Sequence, residues 1–235
     1  MGAPAALLAI AAHVSPSTIL GMIYLVAGVT AAVLTTIFNW PQAYRVLHKG
    51  THGVSAAAVT LSILATAAWL GYGISETIWP VIVSNIGILL GEFTIFYVIK
   101  KTQAEDQRKF VGSSNAHRNN VISNLSFTTI FIYAFILVVT TSLLPIHLIV
   151  VYIASIVIVT AKSLQLQQAV QKRKQDLGGL STATYSIALF SAINWVIFGV
   201  YINDLAVMLM NSILIIIFAT ILVIVITNHK LRQVV

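Results

Sequence analysis

Long apolar stretches alternate with short polar breaks along the whole chain. Seven are about as long as a bilayer-spanning helix: residues 20–40, 54–74, 78–99, 121–141, 145–167, 180–201 and 205–227. A hydrocarbon layer about 30 Å thick takes about 20 apolar residues in helical form. Lipid offers backbone groups no hydrogen-bond partner, and a barrel would show short alternating segments instead, so helices are expected. Residues 1–19 are apolar as well, but His13, Ser15 and Pro16 interrupt them and no basic residue precedes them. They read as an external tail or interfacial segment, not as a signal peptide.

Composition agrees with the pattern. Hydrophobic residues make up 58% of the 235 and charged residues 8%, against about 25% charged in soluble domains. The chain has no cysteine, which excludes disulfides and cysteine metal clusters. Its net charge of +7 could suggest nucleic acid, but the placement of the 13 Lys and Arg residues argues otherwise. Arg45 and Lys49 follow the first span; Lys100, Lys101, Arg108, Lys109 and Arg118 separate the third and fourth. Lys162, Lys172, Arg173 and Lys174 lie at or after the end of the fifth, and Lys230 and Arg232 follow the seventh. The opposite side carries only Glu76, Asp204 and the Pro145–His147 turn. The positive-inside rule makes the basic side cytoplasmic, with the N-terminus outside and the C-terminus inside. The six histidines show no metal-ligand spacing, and no nucleophile–base pair or phosphate loop is present, so neither an enzyme nor a cofactor is expected.

Sliding the chain by 126 residues aligns its two ends without a gap. Gln42 falls on Gln168, Gly53 on Gly179, Trp69 on Trp195, Gly73 on Gly199 and Asn85 on Asn211. The chain has four Trp, and the shift matches a Trp and an Asn sixteen residues apart in both copies. Each copy holds three spans, so a second copy in the same orientation needs one crossing between them. The expected fold class is an all-α membrane protein with seven transmembrane helices: two parallel three-helix repeats joined by an inverting linker helix (3+1+3). Such repeats leave a cavity near the midplane. The expected divisions are an extracellular tail at 1–19, a first repeat at 20–101, a connector and linker helix at 102–144, a second repeat at 145–229 and a cytoplasmic tail at 230–235.

Pro41-Gln42 resembles the signature of PQ-loop proteins. The stretch Trp69-Leu70-Gly71-Tyr72-Gly73, followed by Pro80, Asn85 and Gly87, looks like SWEET and SemiSWEET sugar transporters. The resemblance covers residues 23–101 and 149–227. It implies passive, bidirectional sugar movement by alternating access, with Trp69, Trp195, Asn85 and Asn211 at the sugar. Three features differ from full-length SWEETs. Gln167-Gln168 stands where the first copy has Pro41-Gln42, Ala58 and Thr184 stand near expected prolines, and Gly53-Val54-Ser55 and Gly179-Leu180-Ser181 look more like SemiSWEETs.

These residue types suit a sugar. An indole stacks its apolar face on ring C–H groups, and a carboxamide donates to and accepts from hydroxyls. Polar groups at membrane depth belong in a bundle interior or cavity. The bland alternative makes each Trp an interfacial anchor and each Asn a helix–helix contact. Trp79 aligns with Leu205 and reads as a belt residue. Pro41 kinks or ends the first span, as an inner hinge or a simple terminus, with Gln42 and Gln168 near the same gate. Tyr72 and Phe198 align as an outer aromatic gate or as belt anchors. Glu92 lies two turns beyond Asn85 and is a candidate proton site or a hydrogen-bonded packing residue, with no basic partner evident. Gly87 and Gly91 suit close helix packing. Glu76 and Asp204 read as solvated loop acids, and Thr102–Asn120 as a loose polar connector.

Other readings remain. A retinal protein needs a lysine in the last span, and 205–227 has none. A receptor has no need of the Trp/Asn repeat. A PQ-loop transporter of amino acids, proton-coupled through Glu92, would need charged partners at depth. A non-transporting scaffold would need no polar cavity. The expected partners are a small sugar and membrane lipid, at the plasma membrane and without nucleic acid. Self-association is not readable from the sequence.

Overall fold

A computed structural model describes residues 19–49, 56–109, 126–171 and 182–233. The described residues form seven helices: α1 (Ile19–Lys49), α2 (Ala56–Ser75), α3 (Trp79–Lys109), α4 (Phe127–Leu143), α5 (His147–Gln171), α6 (Thr182–Ile202) and α7 (Leu205–Gln233). Five contain segments long and apolar enough to cross a membrane, in α1, α2, α3, α6 and α7. Phe127–Leu143 and His147–Ser163 are apolar but shorter.

The helices form where the apolar runs predict them, and several run further. α1 continues through Pro41 to Lys49, so the proline does not end the span. Pro41 forfeits one backbone bond, and the hydrophobic segment of α1 on either side keeps the helix going. α3 continues to Lys109, so the first part of the expected connector is helical. The rest of that connector, the N-terminal tail and both Gly-x-Ser segments lie outside the described residues.

The packing order is not the chain order. α3 lies against both α1 and α2, and α7 against both α5 and α6. Across the middle, α1 packs on α6 and α2 on α5, while α4 packs mainly on α2. Replacing α1, α2 and α3 by α5, α6 and α7 maps the contacts among those six helices onto themselves, whereas the packing of α4 on α2 has no counterpart on α6. Close approach is set by small residues. A Cβ on Gly28 of α1 would stand 2.5 Å from the Phe198 ring of α6.

The two corners at α2–α3 and α6–α7 are near duplicates. Thr77 and Asn203 hold the left-handed φ values of 57° and 54°. The Ile78 N–H donates to the Gly73 carbonyl at 2.8 Å, and the Asp204 N–H to the Gly199 carbonyl at 2.9 Å. Gly73 meets Val81 and Ile82, and Gly199 meets Val207 and Met208. Each pair matches at the 126-residue offset. A side chain on either glycine would hold its two helices apart, so these positions set how α3 and α7 begin.

The central core joins Ala31, Ala68, Trp69, Val151, Trp195 and Val207 from both halves. Outside it the bundle is apolar: Val26, Leu143, Ile156 and Ile216 are all more than 60% exposed. A surface of that kind is stable only in lipid.

Candidate functional site

Four helices bring polar side chains inward at helical spacing. On α2, Ser62, Thr66 and Trp69 share one face; on α3, Ser84, Asn85 and Glu92 do. α6 adds Ser191 and Trp195, and α7 adds Asn211. These residues, with Thr35 and Asn39 of α1 and Lys162 of α5, line a single cavity of about 110 Å³. Since a water needs roughly 10–15 Å³ of such space, the cavity has room for a small solute. Among the described helices only α4 contributes nothing to its lining.

The structure brings Trp69, Trp195, Asn85 and Asn211 together in this cavity. All four are buried, at 3, 7, 8 and 4% exposure. Both asparagines are held alike. Asn85 Nδ2 donates to the Val81 carbonyl at 2.7 Å, and Asn211 Nδ2 to the Val207 carbonyl at 2.8 Å. Each bond fixes its carboxamide and leaves the oxygen and a second N–H for other partners.

The tryptophans are held differently. Trp195 Nε1 donates to Thr35 Oγ1 at 2.8 Å, and Thr35 and Ser191 share a hydroxyl bond of 2.6 Å. Ser191 Oγ also reaches the Ala31 carbonyl at 3.1 Å, so the group ties α6 to α1. Trp69 Nε1 is buried and has no hydrogen-bond partner. The residues matching Thr35 and Ser191 on its side are Ala161 and Ala65, which offer no oxygen.

The aromatic pair lies at the end of the bundle that carries the α2–α3 and α6–α7 corners. Tyr72 packs edge-on against Trp69, with centroids 5.6 Å apart at 87°, and Phe198 against Trp195 at 5.9 Å and 70°. Both rings are buried, and both line a vestibule of about 1010 Å³ at that end. They stand between the vestibule and the Trp/Asn cavity. Trp79 lines the same vestibule and is half-buried, so it faces this space and not only a lipid belt.

Three sequence expectations need correction. Asp204 is not a solvated loop acid; it is 9% exposed. It accepts from Tyr72 Oη at 2.6 Å and caps α7 by accepting from the Val207 N–H at 3.0 Å. A carboxylate at a helix N-terminus is stabilised by the unpaired N–H groups there, and the tyrosine bond ties α2 to α7 across the mouth. Glu76 is exposed but pairs with His147 Nε2 at 2.8 Å. Glu92, expected to lack a basic neighbour, faces Lys162, which lines the same cavity and interacts with it electrostatically. Lys162, expected near the end of the fifth span, lies within α5 and lines the cavity.

Glu92 is 7% exposed. It accepts from Ser62 on one oxygen and from Thr66 on the other, the latter at 3.3 Å. The Lys162 ammonium lies 5.9 Å from the Phe38 ring centre. Pro41 is exposed and Gln42 half-buried, and neither lines the cavity. The Gln168 side chain lies outside the described residues. Sequence reasoning missed Thr35, Ser62, Thr66 and Lys162. Ser62 and Thr66 were recoverable from their spacing to Trp69, whereas Thr35 meets its partner only across 160 residues.

No family model and no curated protein matches the chain. Among solved structures, a eukaryotic SWEET transporter determined at 3.7 Å resolution matches with a TM-score of 0.67. The match covers 91% of this chain and 100% of that one at 10% sequence identity. The likeness is one of fold, and with the apolar helices it makes this chain a multi-pass membrane protein with a SWEET-like fold.

Proposed function

We propose that the chain is a facilitative, bidirectional sugar transporter that moves mono- or disaccharides by alternating access. The observation that carries this reading is the convergence of two Trp/Asn pairs on one cavity inside a SWEET-like bundle. Indole faces suit the C–H patches of a sugar ring, and the fixed carboxamides suit its hydroxyls. In this reading Trp69, Asn85, Trp195 and Asn211 bind the sugar. Tyr72 and Phe198 form the outer gate, closed by the Tyr72–Asp204 bond. Pro41, Gln42 and Gln168 serve the inner gate.

The architecture proposed is two parallel three-helix repeats, 20–101 and 145–229, joined through the 102–144 connector and linker helix α4. The self-mapping helix contacts and duplicate corners support it. The N-terminus is proposed to lie outside and the C-terminus in the cytoplasm, at the plasma membrane, with the basic loops on the inner side.

Lys162 opposite Glu92 favours one second reading, transport of a small zwitterion, whose two charges such a pair could meet. One experiment separates the two. Uptake of radiolabelled glucose, sucrose and amino acids is measured in proteoliposomes, with and without a pH gradient. The wild type is compared with the double variant Asn85→Ala, Asn211→Ala. Sugar uptake that the double substitution abolishes and the gradient leaves unchanged is the expected outcome. Amino-acid uptake without sugar uptake selects the second reading, and gradient-driven uptake makes Glu92 a proton carrier.

A further inference from the structure

The cavity is lined by matched halves, yet its matched positions differ in chemistry. Ser62, Thr66 and Glu92 line the wall formed by α2 and α3. At the same offset, the wall formed by α6 and α7 carries Ala188, Ala192 and Phe218. Thr36 occupies the position that matches Lys162. The indoles differ too: the Trp195 N–H is engaged by Thr35, while the buried Trp69 N–H has no partner. At these matched positions one wall therefore offers hydroxyls and a carboxylate where the other offers hydrocarbon, while Ser191 and Asn211 lie elsewhere on the second wall.

These groups have unused capacity. Glu92 accepts one hydroxyl bond on each oxygen, and a carboxylate has about four acceptor sites. Lys162 forms no direct ion pair with Glu92, and an ammonium has three donors. An unpaired buried N–H costs free energy until a ligand oxygen meets it. The two opposite charges leave this part of the cavity neutral overall, which suits an uncharged, hydroxylated solute.

We infer that Glu92, Lys162 and the indole N–H of Trp69 form a specificity-determining subsite that binds the hydroxylated edge of a monosaccharide in a single orientation. The sugar's C–H face lies against Ala188, Ala192 and Phe218. Glu92 accepts from sugar hydroxyls, and Lys162 and Trp69 donate to sugar oxygens. A twofold-symmetric cavity would accept a ring in two equivalent poses, and this asymmetry selects one. The inference rests on the sugar-transport reading above and goes beyond it in assigning the hydroxyl contacts.

The test uses the full chain in proteoliposomes. Labelled glucose counterflow is competed by glucose and by the series of singly deoxygenated glucoses, for the wild type, Glu92→Gln and Lys162→Met. Melting temperature in detergent reports folding. In the wild type, loss of the hydroxyl that meets Glu92 is expected to weaken competition about tenfold or more. In Glu92→Gln, glucose itself weakens by a similar factor, and that one analogue is no longer discriminated while the others are. Lys162→Met erases discrimination at a different hydroxyl and carries the test independently if Glu92→Gln fails to fold. Folded variants that keep the full wild-type pattern, or weaken all sugars by one common factor, overturn the inference while the sugar reading stands. A folded wild type with no sugar uptake overturns both.

Discussion

Trp195 and Trp69 show how one residue type in matched positions can be tied down in one copy and left open in the other. Replacing Thr35 by valine keeps the shape but removes the oxygen that Trp195 donates to. A buried donor left unpaired costs about 1–3 kcal/mol, so Thr35→Val is expected to lower the melting temperature. Replacing Ala161, which matches Thr35 at the 126-residue offset, by threonine is expected to offer the free N–H of Trp69 a partner within the protein. We predict that such a variant is more stable than wild type but takes up labelled sugar more slowly, because the protein now competes with the substrate for that donor. Asn85→Ala and Asn211→Ala are each expected to reduce uptake by about tenfold or more, since a site built to bond hydroxyls loses more than packing when a partner is removed.

At the scale of the element, the corners decide how α3 and α7 leave α2 and α6. A Cβ on Gly73 would lie 2.9 Å from Val81 Cγ1, and one on Gly199 2.9 Å from Met208 Cγ. Valine is stiff at its first torsion and methionine is not. Gly73→Ala is therefore expected to destabilise by about 1–3 kcal/mol and Gly199→Ala by less, read as a difference in melting temperature. Thr77 holds φ of 57°, a conformation that suits Asn better than a β-branched residue. Thr77→Asn should raise stability by up to about 1 kcal/mol, making the first corner as well suited as the second, where Asn203 already stands.

At the scale of the whole molecule, the two halves meet through α1 on α6 and α2 on α5. A bond that closes the corner end of that junction runs from Tyr72 to Asp204. Asp204 also caps α7, so loosening the bond loosens the start of a helix that carries Asn211. The chain has no cysteine, and a single introduced one reports access without background. With Ala192→Cys in the cavity, a membrane-impermeant maleimide applied from the vestibule side is expected to react faster when Tyr72→Phe is also present. Unchanged labelling would mean that the ring packing of Tyr72 and Phe198, rather than the hydroxyl bond, keeps that end shut.

The sequence determined by itself that the protein lives in lipid, where its helices fall, and that two parts of the chain repeat. Those properties follow from local composition and spacing, because hydrophobic runs and helical periodicity are written in neighbouring residues. It also singled out the two Trp and two Asn that the fold brings into one cavity, since their matched spacing survives in the linear order. Only the tertiary structure decided which partners complete that cavity. Thr35 reaches Trp195, Tyr72 reaches Asp204 and Lys162 comes to face Glu92 through helix packing between residues far apart in the chain, and no local pattern encodes such a meeting. The same holds for the difference between the cavity's walls. Each Ala or Ser is unremarked where it stands in its own helix, and acquires a role only from what the opposite helix places beside it.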